Sequence, residues 1–123
     1  MRQRGFDAEF QPAMADGLVG RIAASLRGIN FFVNFLGSAG KVGSVGFLTV
    51  SDNSDQRSLR DVNSFNAGLR AAKVVVEGNS LCLTHDFIVN GSGIAEETFL
   101  ANLSFWEFAL GQFGQWYLST EER

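Results

Sequence analysis

Residues 55–118, DQRSLRDVNSFNAGLRAAKVVVEGNSLCLTHDFIVNGSGIAEETFLANLSFWEFALGQFGQWYL, decide the fold, because three hydrophobic patterns succeed one another in them. Leu59, Val62, Asn66 and Leu69 fall at helical spacing and form one stripe, which Phe65 widens. Ser54 or Asp55 is placed to cap the start of that helix, and Gly68 with Arg70 suits its end. Ala72–Glu77 and Leu81–Val89 are β-branched and Leu-rich runs on either side of Gly78-Asn79, which reads as a hairpin joined by a four-residue turn. Asn90-Gly91-Ser92-Gly93 ends the hairpin. Glu96 and Glu97 then sit where the first turn of a helix favours negative charge. That last helix carries the stripe Phe99, Leu103, Trp106, Leu110, Phe113 and Tyr117, whose steps alternate between four and three residues. At about 2 kcal/mol each, burying these side chains contributes on the order of 10–15 kcal/mol gross. Phe105, Phe108 and Trp116 lie beside the stripe. This surplus reads either as a wide core or as the aromatic centre of an interface.

Working back toward the start, the pattern changes to period two. Phe6–Ala15 reads as a short strand, and Pro12 favours an edge position for it because proline cannot donate to a ladder. Leu18–Leu26 alternates, with Ile22, Ala24 and Leu26 on one face. Asn30–Leu36 places Phe31, Val33 and Phe35 on one face and Asn30, Phe32 and Asn34 on the other. Gly37–Ser44 reads as a flexible loop, and Val45–Val50 as a further strand. The connections Asp16-Gly17 and Arg27-Gly28 are too short for parallel crossovers, so these strands form an antiparallel meander. The expected fold is α+β: an antiparallel five-stranded sheet with helices packed on it, in the order β-β-β-α-β-β-α, as one domain over residues 1–123.

Bulk composition excludes several classes. Forty-six per cent of the 123 residues are apolar and twelve are Phe, enough for one core without covalent staples. Cys82 is the only cysteine, which rules out an internal disulfide and a multi-cysteine zinc site. Net charge is −3 and the basic residues are scattered, so no basic stripe offers itself to nucleic acid. No secretory leader and no run of eighteen apolar residues is visible, and a soluble cytoplasmic protein is expected.

Chemistry-bearing residues are few. Cys82, His85 and Asp86 are close in sequence, but strand alternation puts Cys82, Thr84 and Asp86 on one face and His85 on the other. A nucleophile–base pair therefore does not form locally, and Cys82 reads as a small apolar filler. Gly40-Lys41 lacks the glycine five positions earlier, where Phe35 stands, and the hydroxyl residue after it, where Val42 stands, so it is no phosphate loop. Gly91-Ser92-Gly93 reads as a plain helix start. Asn63 and Asn66 are unusual inside a helix, and Asn66 falls in its apolar stripe. An unpaired buried amide costs about 1–3 kcal/mol, so Asn66 is expected to bond a strand backbone or, failing that, a ligand.

The segment Val62-Asn63-Ser64-Phe65-Asn66, the hairpin ending in Asp86-Phe87, and Gly91-Ser92-Gly93-Ile94 before a long helix together resemble the YbjN family. Gly5-Phe6, Asp16-Gly17 and Gly28 fit the front half of that pattern. The family is described as bacterial sensory transduction regulators, and its fold is similar to that of the class I chaperones of type III secretion. The resemblance implies a dimeric, non-enzymatic protein that binds a protein partner or secreted client. It marks Asn63, Phe65, Asn66 and Asp86 as motif residues of structural role. The N-terminal helix of the family has no counterpart in Met1–Gly5, and a second copy or a partner is expected to cover the surface that helix would hide.

The functional expectation is thus a protein-binding module acting by apolar contacts as a homodimer. Phe32, Phe105, Phe108 and Trp116 are the candidate contacts. No catalytic, metal or cofactor site is expected, and no membrane or nucleic-acid partner. The alternative is a small-molecule-binding sensory domain with a pocket between helices and sheet, lined by Asn63, Asn66 and His85.

Overall fold

A computed structural model describes residues 7–12, 18–38, 41–53, 57–69, 72–89 and 94–121. Six strands form one antiparallel sheet: β1 (Asp7–Pro12), β2 (Leu18–Leu26), β3 (Ile29–Ser38), β4 (Lys41–Asp52), β5 (Lys73–Glu77) and β6 (Ser80–Ile88). Helix α1 (Leu59–Ala67) lies between β4 and β5, and helix α2 (Glu96–Glu121) follows β6. The α+β class and the expected order of strands and helices are found in β2–β6 with α1 and α2. β1 is the short strand expected within Phe6–Ala15, in the edge position that Pro12 favours, and counting it the sheet has six strands where the fold expectation counted five.

The sheet order is β1-β2-β3-β4-β6-β5. β2, β3 and β4 make the expected meander, with register Ile22↔Val33↔Phe47 and Ala23↔Phe32↔Leu48. The β2–β3 turn is tight because Arg27 and Gly28 both adopt positive φ, 53° and 82°, as a primed hairpin turn requires. The loop expected at Gly37–Ser44 is mostly strand instead. Gly37 pairs with Val42 and Ser38 with Lys41, after a register shift at Leu36/Gly37. A local glycine count does not reveal that two long strands carry their ladder past it. The β5–β6 connection is the expected four-residue turn, Glu77–Ser80, with Gly78 at φ 56° in the first central position.

The hairpin inserts with β6 inward, against β4, and β5 outside. Burial explains that choice. Leu81, Cys82, Leu83 and His85 of β6 are all buried, and β6 has a strand along each edge, whereas β5 alternates between exposed and covered positions.

Both helices lie on one face of the sheet. α2 lays Leu103, Trp106, Leu110 and Phe113 onto Phe31, Val33, Val45, Phe47 and Leu83, all of them buried. Trp106 has Phe31 edge-on at 5.8 Å and Phe47 stacked at 5.4 Å. Phe99 and Tyr117 flank this core at the ends of the stripe. α1 begins after Ser58, whose hydroxyl accepts from the Asp61 N–H at 3.1 Å. The cap is thus Ser58, not the expected Ser54 or Asp55, which with Arg70 fall outside the described residues. Leu59 is not part of a buried stripe, being exposed, and Val62 alone in α1 is fully buried. Leu69 is buried just beyond the end of the helix.

Candidate functional site

Among the described residues, no helix lies over the opposite face of the sheet. Strand register lines up Ala23, Phe32, Leu48, Thr84 and Lys73 as one row across β2, β3, β4, β6 and β5. Beside it, Val50, Cys82 and Val75 form a second row. Val50 is 53% and Val75 43% exposed, with Cys82 buried between them. Leu36 and Ile88, also exposed, lie on the same face nearer the other end of the strands. Phe32 is half-buried beneath the Arg21 guanidinium, which lies 4.4 Å from its ring centre. Arg21 is held there because its Nε donates to Asn34 Oδ1 at 2.7 Å.

Asp86 is exposed on this face and leans over Gly46, its register partner on β4. A Cβ at Gly46 would lie 2.7 Å from Asp86 Oδ1, so a side chain there would make this exposed carboxylate rotate away. Burial between the valines pushes the Cys82 thiol above its ordinary value, and the charge of Glu77 adds to the effect. A thiol held protonated is a poor nucleophile. His85 is on the other face, as alternation requires, so no Cys–His pair forms. Among the described residues, no three of His, Cys, Asp and Glu cluster as metal ligands.

On the covered face, the polar groups are used within the chain. Asn66 Nδ2 donates to the Val74 carbonyl at 3.0 Å, and Asn66 Oδ1 accepts from the Val74 N–H at 2.7 Å. One carboxamide thereby fills both outward backbone positions of Val74, as a neighbouring strand would. Lys73 Nζ closes the same corner by donating to the carbonyls of Asn66 and Leu69, each at 2.9 Å. Asn63 is exposed on the outer side of α1. His85 Nε2 lies 2.7 Å from Asn102 Oδ1. Asn102 Nδ2 donates to the Thr98 carbonyl, which leaves Asn102 Oδ1 to accept from a proton on His85 Nε2. The three residues expected to line a pocket therefore do not converge: one is exposed, and the other two make intrachain bonds.

Of the four candidate contacts, Phe105 and Phe108 are on the outer surface of α2, 51% and 63% exposed. Phe32 sits on the open sheet face. Trp116 is turned toward α1, stacked on Phe65 with ring centres 4.6 Å apart. Arg57 covers its other side at 4.2 Å and donates to the Tyr117 carbonyl at 2.6 Å. Tyr117 in turn donates from its hydroxyl to the Asp52 carbonyl at 2.8 Å. Arg57 and Asn102 are absent from the sequence-based candidates. Asn102 carries the same signal as Asn66, an amide inside a helix that must find a partner. Nothing local pairs Arg57 with a carbonyl sixty residues away.

No protein-family model, no curated protein and no solved structure matches this chain. No helix among the described residues is long and apolar enough to cross a membrane.

Proposed function

We propose that this chain is a non-enzymatic protein-binding module, regulatory or chaperone-like, that acts in the cytoplasm as a dimer. Its open sheet face receives apolar side chains of a partner polypeptide. The observation that carries this reading is the double row on that face, where Val50 and Val75 flank Cys82 beside Phe32 and Leu48 while both helices pack on the other side. Sparse apolar residues among Arg21, Asn34, Asp86 and Lys73 suit a surface that stays in solution until a partner covers it. The resemblance to YbjN proteins agrees with a regulatory or chaperone-like role. Strand addition at β5 is a poor route for such binding, because Asn66 already occupies the Val74 edge.

Fluorescence anisotropy with labelled, unstructured peptides tests the reading. Peptides with alternating Val and Leu should bind, and Gly/Ser peptides of equal length should not. Val50→Lys with Val75→Lys should remove binding while far-UV circular dichroism is unchanged. Absence of binding to any apolar peptide, or equal binding by the double variant, would overturn it.

A further inference from the structure

The outer surface of α2 is a second candidate contact, and its chemistry names its occupant. Every exposed residue from Thr98 to Leu118 is uncharged, whereas the chain as a whole is 19% charged. Glu107 is the single charged residue in residues 98–120, and it is half-buried. At 100° per residue it is rotated about 100° from Phe108 and about 160° from Phe105. The exposed line is Ala101, Phe105, Phe108, Gln112, with Gln115 a turn on. We infer that this face seats a second copy of the same chain, by antiparallel pairing of the two α2 helices about a two-fold axis between Phe105 and Phe108.

Three observations select a second copy over another partner. The chain carries a net charge of −3, so two copies repel wherever their charged surfaces meet, and this face has no charge to repel. A two-fold contact brings the same patch together from both sides and must be complementary to itself. The polar side chains toward its C-terminal end, Gln112 and Gln115, are uncharged carboxamides that both donate and accept, so they can meet the same uncharged surface of a second copy, whereas a charged client would require an opposite charge. Finally, the spacing of Ala101, Phe105, Phe108 and Gln112 is four, three, four, which reads the same in both directions. An antiparallel mate therefore sets Phe105 against Phe108 of the second copy and Ala101 against its Gln112. Large side chains meet at the axis and a small one meets a longer one at each end, which is how packed helices interdigitate.

The inference rests on the reading of this chain as a protein-binding module and assigns its two surfaces different occupants. α2 lies on the covered side of the sheet, so pairing through it leaves both open faces directed outward. The dimer would then hold two segments of one partner at once, which raises avidity without any new contact.

Sedimentation over a dilution series tests it. The wild type should sediment as a dimer, and Phe105→Glu with Phe108→Glu as a monomer with the same far-UV spectrum. Orientation is read by cross-linking in a C82A background. Mild oxidation should join A101C chains to Q112C chains in a mixture and leave A101C alone uncoupled. A monomeric wild type, a dimer that survives both glutamates, or efficient A101C self-coupling would each overturn the inference. A monomer that still binds apolar peptides would sink this inference alone, and a dimer through α2 that binds none would sink only the sheet-face reading.

Discussion

The two faces of this sheet are built from the same strands by opposite rules. On the covered face, Phe31, Val33, Val45, Phe47 and Leu83 are sealed by Leu103, Trp106, Leu110 and Phe113, and the buried polar side chains His85 and Thr49 each have a hydrogen-bond partner within the chain. On the open face, apolar and polar side chains are interspersed. Arg21 lies on Phe32, Asp86 leans across Gly46, and Val50 and Val75 flank Cys82. One face is closed by the chain itself, the other is only screened from water. Stability should therefore reside almost wholly on the first, and substitutions sort by which face they touch.

The largest expected effect is at Trp106, which is fully buried between Phe31 and Phe47. Trp106→Ala should lower unfolding free energy by about 3–5 kcal/mol in urea titration. Trp106→Phe sharpens the point. The indole N–H is buried and finds no acceptor among the described residues. Removing it recovers a desolvation cost of about 1–3 kcal/mol, against the volume lost. The phenylalanine variant should thus lie much nearer wild type than the alanine one. Equal losses would mean that the indole nitrogen is satisfied in solution.

Next in size is Asn66, at the corner where the covered side meets the β5 edge. Asn66→Ala leaves the Val74 N–H and carbonyl without their side-chain partner. A loss of about 1–3 kcal/mol is expected. The exposed strand edge should also make light scattering rise with concentration, because an open edge is a template for other chains. Asn66→Asp keeps the acceptor and loses the donor, so it should fall between. Stability loss without association would show that β5 is protected by something besides this amide.

These effects follow what the sequence makes legible. The period of each segment is local, so the meander, the Gly78-Asn79 hairpin and the α2 stripe can be read directly. Alternation also separates Cys82 from His85 correctly. Pairing over long distance is not local. Nothing near Leu81 says that β6 rather than β5 lies against β4, although the apolar run Leu81-Cys82-Leu83 hints at a strand with neighbours on both edges. Leu59 illustrates the opposite failure: it has helical spacing yet points to solvent, because a helix of nine residues presents only part of its stripe to the core. Phe105 and Phe108 were readable as surplus, but Trp116 was not separable from them. Its difference lies in Phe65 and Arg57, which come from another part of the chain.

Arg57 ties that other part down, and its expected contribution is smaller. Its guanidinium lies 4.2 Å from the Trp116 ring and 5.0 Å from the Tyr117 ring while donating to both of their carbonyls. Arg57→Lys keeps the charge near the C-terminal end of α2 but loses the planar stack and the forked donors. A loss of about 1 kcal/mol is expected, with hydrogen exchange rising in the last turns of α2 before the rest of the helix. Uniform acceleration along α2 would place the anchor elsewhere.

The smallest effect should come from the open face, and it is the one that most directly tests the comparison. Val50→Thr replaces a methyl by a hydroxyl on a side chain already 53% exposed. Both residues are β-branched and suit a strand, so backbone preference is unchanged. The hydroxyl stays in water and pays no burial penalty. Stability should move by less than about 0.5 kcal/mol, the range of surface substitutions. The same change at Val45, which is fully buried on the covered face of the same strand, would bury a hydroxyl among Phe35, Phe87 and the helix, and should cost about 1–3 kcal/mol. Two identical substitutions on one strand thus measure the two faces against each other. If Val50→Thr proved as damaging as Val45→Thr, the open face would be closed in solution, and its apolar rows would belong to a core rather than to a docking surface.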